Sequence, residues 1–432
     1  MFRFLFLFVF SSVFFSAEAQ SAFVKQKNGQ FVLDGKPYYY IGTNYWYGSV
    51  LPLQKDKARG IERLRKELDF LKSKGVTNLR VLGGAEGVGL VNGVERVGPS
   101  LQPEKGKFNE EILYGLDVLL AEMQKRNMKA VVFFSNNWEW SGGFLQYLQW
   151  NDQIPDSVFR RKMQWDELRD YVSKFYQCEP CKQDYLNHVN FILNHTNQVT
   201  GKKYSQDPTI MSWELANEPR PMRPASNEEY SKWISDVASF IKSKDKNHLL
   251  TTGHEGEIAT ESIDLFEKVH ADKNIDYLTI HIWPRNWGWY DEKNVANEFP
   301  GVVARTKDYI VRHATVAEKL RKPLVLEEFG FTRDNTSFDP SSSTTFRDKY
   351  YDAFFSEWKN SAAANGVIAG ANFWAFNGMA RPTKGQIFWK AGDDYMGDPP
   401  MEEQGLYGVF DSDASTWQLI SSYTNWLKQQ KK

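Results

Sequence analysis

A chain of 432 residues holds one large barrel or two average domains. With 53 Lys and Arg against 54 Asp and Glu, a net charge of −1, it lacks the basic footprint of a nucleic-acid binder and any bias suited to an acidic polymer; a neutral substrate is expected. The 15 Trp, 20 Tyr and 30 Phe must mostly pack in a core, although flat rings also suit the C–H faces of sugars.

The chain opens with Met1-Phe2-Arg3, an apolar run over 4–15, and Ser16-Ala17-Glu18-Ala19-Gln20. A basic start, a short apolar core and a small-x-small site mark residues 1–19 as a signal peptide, which implies a secreted, extracellular protein. The run is too short to span a bilayer, so no membrane association is expected. Residues 31–37, Phe-Val-Leu-Asp-Gly-Lys-Pro, read as a hairpin at the closed end of a barrel. Buried strands are then predicted at 38–46, 76–82, 129–135, 209–213, 249–253, 277–283, 324–326 and 367–374. Helical patterns over 61–73, 110–128, 185–200, 227–243, 261–270, 301–320, 345–365 and 415–428 alternate with them. Long loops are expected over 83–103, 136–185 and from 375 to about 405.

Eight strand-like runs alternating with helices indicate an α/β fold with a parallel sheet, and the count favours a (β/α)8 TIM barrel over an open sheet. The Gly-rich stretch 83–89 lacks the spacing of a dinucleotide-binding turn. No Pro- or Ser-rich linker interrupts the chain, so residues 20–432 are expected to form a single catalytic domain. Its excess length sits in loops at the C-terminal face, where barrel active sites are built. Cys178 and Cys181, in Cys-Glu-Pro-Cys, are too few for a zinc site and lie outside a thioredoxin-like context; in an exported chain they are expected to form a short structural disulfide.

The strand ends carry Arg80, Asn136 and Asn137, Asn217 and Glu218, His254 and Glu255, His281, Glu328 and Trp374. None of these has metal-ligand spacing and no Gly-x-Ser-x-Gly elbow is present, so neither metal nor cofactor is expected. Two carboxylates at two strand ends remain as reagents, and glycoside hydrolysis needs such a pair. In Asn217-Glu218-Pro219 the proline is expected to end the strand and keep Glu218 extended. Glu214 shares the parity of Glu218 but lies well before the strand's end, which favours a buried structural role. Glu327 and Glu328 are adjacent, so only one of them is expected to enter the site, and periodicity does not choose between them. His254 and Glu255 either line the cleft or are structural. Trp138, Trp287 and Trp289 cluster on the catalytic side, where at least one is expected to stack on sugar.

Residues 213–220, Trp-Glu-Leu-Ala-Asn-Glu-Pro-Arg, and 326–330, Leu-Glu-Glu-Phe-Gly, resemble glycoside hydrolase family 5 of clan A, and within it the endo-β-1,4-mannanases. Gly42-Thr43-Asn44-Tyr45-Trp46, Asn78-Leu79-Arg80-Val81, Asn136-Asn137-Trp138, Thr252-Gly253-His254-Glu255-Gly256 and 281–290 extend the likeness across nearly the whole mature chain. The resemblance implies that Glu218 is the acid/base and Glu328 the nucleophile. It implies that Arg80 and Asn217 orient the nucleophile and the sugar 2-hydroxyl, that His281 lines the site and that Trp374 is the platform under the sugar. Trp283 departs from it, since many relatives carry Tyr there, and a different donor is then needed near the nucleophile. The implied enzyme is a retaining endo-β-1,4-mannosidase acting on mannan, glucomannan or galactomannan, with an endo-β-1,4-glucanase or a non-catalytic carbohydrate-binding barrel as alternatives; a monomer is expected.

Overall fold

The computed structural model describes residues 22–430, so the expected signal peptide lies outside the described residues. Eight strands form one parallel sheet: β1 (Tyr40–Asn44), β2 (Asn78–Leu82), β3 (Lys129–Phe133), β4 (Ile210–Glu214), β5 (Leu249–Thr251), β6 (Leu278–Ile282), β7 (Leu324–Phe329) and β8 (Ile368–Phe373). Ladders run β5-β4-β3-β2-β1-β8-β7-β6. At the remaining seam, β5 and β6 meet through single hydrogen bonds: the Asp276 N–H donates to the Leu250 carbonyl at 2.8 Å, and the His281 N–H to that of Glu255 at 3.1 Å. The ring is that of a (β/α)8 barrel, and every strand residue is buried, as expected of a parallel sheet covered on both faces.

Packing inside the ring requires small residues where it is tightest. A Cβ on Gly370 would meet the Tyr40 ring at 2.4 Å, so that glycine in β8 makes room for a tyrosine in β1. Below it the barrel is closed by the predicted hairpin, Gln30–Leu33 with Lys36–Pro37, whose Phe31 packs edge-on against Tyr277. The upper half of the barrel is polar.

The connection between β3 and β4, expected to be a loop over 136–185, is largely helical: Gly143–Trp150, Asp156–Arg160, Trp165–Val172 and Glu179–Leu193. Its aromatics form a satellite core, with Phe144 stacked on Phe175 at 4.2 Å and both against Trp233. Cys178 and Cys181 are disulfide-bonded, with Cα atoms 5.2 Å apart. The Cys178 sulfur accepts the Cys181 N–H and caps helix Glu179–Leu193, so Cys-Glu-Pro-Cys is a helix start and not the loop expected before residue 185. Helix Val295–Leu320 likewise begins one turn and more before the predicted 301, carrying Pro300 within it. Among the described residues no helix is long and apolar enough to cross a membrane.

Candidate active site

Arg80 on β2 is the hub of the polar upper barrel, fully buried over the Phe133 ring. A cation so far from water has to be paired on every side. Its Nε donates to Glu214 Oε2 at 2.8 Å and its Nη2 to the other oxygen of Glu214. Nη2 also donates to Asn217 Oδ1 at 2.7 Å, while Nη1 donates to Asn44 Oδ1 at 3.0 Å and to Glu328 Oε1. Glu214 is therefore the structural partner the sequence suggested.

Glu327 and Glu328 both face this hub, contrary to the expectation that only one enters. The reason is a bulge in β7: Ile280 pairs with Leu326 and His281 with Glu328, leaving Glu327 as an extra residue that breaks the alternation. Glu327 Oε2 lies 3.7 Å from Arg80 Nε and 3.4 Å from His281 Nε2, and its Oε1 has no hydrogen-bond partner in the protein.

Glu218 does not take the extended backbone expected before proline. Strand β4 ends at Glu214, and Glu218 sits at φ +53°, held by its N–H bond to the Gly253 carbonyl at 2.8 Å. A left-handed non-glycine residue of this kind costs about 1–3 kcal/mol and is typical of functional sites. It brings Glu218 Oε1 to 2.7 Å from His281 Nδ1, while the Trp138 indole N–H donates to Oε2. His281 Nδ1 also lies 3.3 Å from Glu328 Oε2. One oxygen of Glu218, one of Glu328 and a nitrogen of His281 all fall within 4.8 Å of one another, a grouping of ligand-type atoms that the sequence spacing did not suggest. The two carboxyl groups thus face each other across the site, with their nearest oxygens within 4.8 Å.

Burial is the largest influence on the titration of both carboxyls, and the nearby guanidinium groups come next, with opposite sign. Burial raises Glu218 against the opposing pull of Arg220, the Trp138 indole and Arg80. Glu328 is pushed well up by burial and by Glu218, Glu327 and Glu214, with Arg80 opposing. Two facing carboxyls with elevated affinity hold a proton between them. Burial and neighbouring carboxylates raise Glu328 the more, whereas the direct Arg80 contact, which Glu218 lacks, favours negative charge on Glu328. Burial lowers His281 to about 4, so the ring is neutral and carries a single hydrogen, with Nδ1 facing Glu218 and Nε2 facing Glu327.

Trp374, at the end of β8, is 4% exposed, and its indole nitrogen has no protein partner. Trp283 stands edge-on to it at 5.9 Å and to Tyr407 at 4.9 Å. At this departure from Tyr, Arg80 is the side-chain donor to the nucleophile candidate. Glu255, expected to bind substrate, spends both oxygens on Arg220, so its contribution is to hold that guanidinium. His254 is fully buried. Trp287 and Trp289 pack on each other and on Tyr309, as ordinary loop aromatics. Asn44, Arg220, Trp165 and Tyr407 were not singled out in the sequence; Asn44 and Arg220 stand within the motifs quoted above, whereas Trp165 lies in an insertion with no motif.

A (β/α)8 barrel with facing carboxylates at the ends of β4 and β7, one of them on a buried arginine, belongs to the class of glycoside hydrolases. The chain belongs to glycoside hydrolase family 5: the model for "GH family 5 beta-mannosidase-like" proteins matches residues 21–432. It is 31% identical to mannan endo-1,4-β-mannosidase 1 of Oryza sativa over 82% of this chain and 78% of that one, and 30% identical to mannan endo-1,4-β-mannosidase 2 of Arabidopsis thaliana over 83% and 79%. The crystal structure of a family 5 mannosidase from Rhizomucor miehei superposes with a TM-score of 0.85 at 34% identity, covering 95% of this chain and 99% of that one.

Proposed function

We propose that this glycoside hydrolase cleaves internal β-1,4 bonds of mannan, glucomannan or galactomannan with retention, by double displacement on Glu218 and Glu328. Glu328, ionised against Arg80, attacks the anomeric carbon while Glu218 gives its proton to the departing glycosidic oxygen. Glu218, now a carboxylate, then takes a proton from water, which attacks the glycosyl–Glu328 ester and frees the enzyme. Trp374 carries the sugar face during both steps. The observation that carries this reading is the oxygen pair of Glu218 and Glu328 within 4.8 Å, with a guanidinium on Glu328 alone. Relatives named mannan endo-1,4-β-mannosidases, and a related Rhizomucor structure in complex with mannosyl-fructose, support mannose over glucose as the glycon. Residues 1–19 are proposed to direct export.

Proton NMR of the first product from a β-mannooligosaccharide tests the mechanism: a β-anomer is expected, and an initial α-anomer overturns it. Glu218→Ala should lower hydrolysis of mannan by about 10²–10⁴-fold, yet form β-mannosyl azide from an aryl β-mannoside when azide is supplied; Glu328→Ala should lose hydrolysis as well and form no β-mannosyl azide. Activity on carboxymethylcellulose and none on mannan would establish the glucanase reading, and binding of mannan without release of sugar the binding-protein reading. A second mode, cleavage from chain ends, fits the "beta-mannosidase-like" description of the matching family. Release of mannose alone from mannohexaose would select it.

A further inference from the structure

Trp165 is the one tryptophan among the exposed large apolar side chains of the described residues, 49% accessible, and the active-site chemistry leaves it unused. It begins helix Trp165–Val172 in the β3–β4 insertion. Its ring lies 6.2 Å from that of Trp138 and is inclined to it by only 29°. The Arg220 guanidinium caps both, at 5.0 Å from Trp138 and 5.9 Å from Trp165, and is itself fixed by Glu255. The helix cannot drift: Arg169 Nε donates to the Met222 carbonyl at 2.7 Å, and Arg223 reaches Asp170 at 2.7 Å and the Asp166 carbonyl at 2.9 Å. Both anchors belong to the segment that follows Glu218.

We infer that Trp165 continues the Trp138 ring as a second platform for a pyranosyl unit on the leaving-group side of the cleft. The inference rests on the hydrolase reading above. Glu218, as the acid, faces the oxygen of the departing sugar, and Trp138, which donates to Glu218, stands on that same side. Trp165 is the ring beside it, and about half of its surface is accessible, with Arg220 over one face. A flat ring held in place beside Trp138 offers a stacking surface, and a β-linked pyranoside presents an apolar C–H face of the right shape. The insertion thereby supplies affinity for leaving groups longer than one sugar, and for sugar acceptors in the reverse direction of the second step.

The readout is the ratio of kcat/KM on mannopentaose to kcat/KM on 4-nitrophenyl β-mannopyranoside, whose leaving group is one ring. In Trp165→Ala the ratio should fall by about three- to tenfold, carried by KM, and in Trp165→Phe it should return most of the way. An unchanged ratio in Trp165→Ala, with wild type cleaving both substrates, removes the platform and leaves the hydrolase standing. A Trp165→Phe ratio as low as that of Ala also removes it, since a flat ring alone would then not suffice. A wild type inert on both substrates removes platform and hydrolase reading together.

Discussion

The proton affinity of Glu218 is set by a balance in which single neighbours have a definite sign. Burial raises the carboxyl, and the Trp138 indole N–H opposes it by favouring the ionised form. In Trp138→Phe that donor is lost, the carboxylate is less well stabilised, and the affinity for the proton rises. Because the proposed mechanism needs Glu218 protonated, activity should then persist to higher pH. The alkaline limb of kcat/KM should move up by about one pH unit, the equivalent of about 1.4 kcal/mol, even though the overall rate falls with the lost ring contact. A limb that stays in place or moves down would show that Trp138 does not act on Glu218. At this scale the reacting pair was legible, because Asn-Glu-Pro and Glu-Glu-Phe-Gly are local signals. The company they keep was not. The bulge at Glu327 depends on how β6 and β7 pair, and the diversion of Glu255 onto Arg220 depends on two loops meeting.

Among the elements, the loop after β2 clasps the loop after β3 through one buried carboxyl. Glu86 Oε1 accepts from Ser135 Oγ at 2.6 Å and Tyr147 OH at 3.0 Å, and Oε2 accepts the Gly143 N–H at 3.1 Å. These bonds bracket the segment that carries Asn136 and Trp138. Burial, outweighing the three donors, raises Glu86 to about 7. A folded-state value above the unfolded one means that the protonated form is favoured in the native chain. Its stabilising effect is complete below the ordinary carboxyl range and is lost as pH rises through about 7. Glu86→Gln keeps the shape and mimics the protonated form, so relative to wild type the variant should gain stability between pH 5 and pH 8, by up to about 3 kcal/mol. Urea unfolding at the two pH values checks it, and an equal gap at both would refute the assignment. Elements with regular periodicity were readable from sequence, among them the body of the last helix of the β3–β4 insertion; its three earlier helices were not. Those three are short, and aromatics of the insertion face a satellite core built with Trp233 from a later helix, so the stripe that marks a helix is divided among partners.

Over the whole molecule, the eightfold alternation of strand and helix made the barrel legible, since each unit repeats the same pattern. What the pattern does not reveal is how the last turn of chain is locked onto the ring. Arg333, from the segment after β7, and Arg347, from helix Thr345–Ala363, converge on Asp413, just ahead of the final helix Ala414–Gln430. Arg333 Nη2 donates to both oxygens of Asp413 at 2.7 and 2.8 Å, Arg347 Nη2 to one at 2.7 Å, and the Phe410 N–H to the same one at 2.9 Å. All three charged side chains are buried. Asp413→Ala leaves two guanidinium groups without their shared counter-ion and should cost about 3–5 kcal/mol. The pair of Arg59 with Asp394 joins the first helix of the barrel to the loop after β8 at a comparable distance, 2.6 Å, but its side chains are 58% and 28% exposed. There Asp394→Ala should cost no more than about 1 kcal/mol, because water screens the pair before and after the change. Chemical denaturation of the two variants side by side decides the matter: an Asp413→Ala variant as stable as Asp394→Ala would mean that the C-terminal helix is held by its apolar face alone, with Trp417 and Ile420 sufficient to close the barrel without the buried charges.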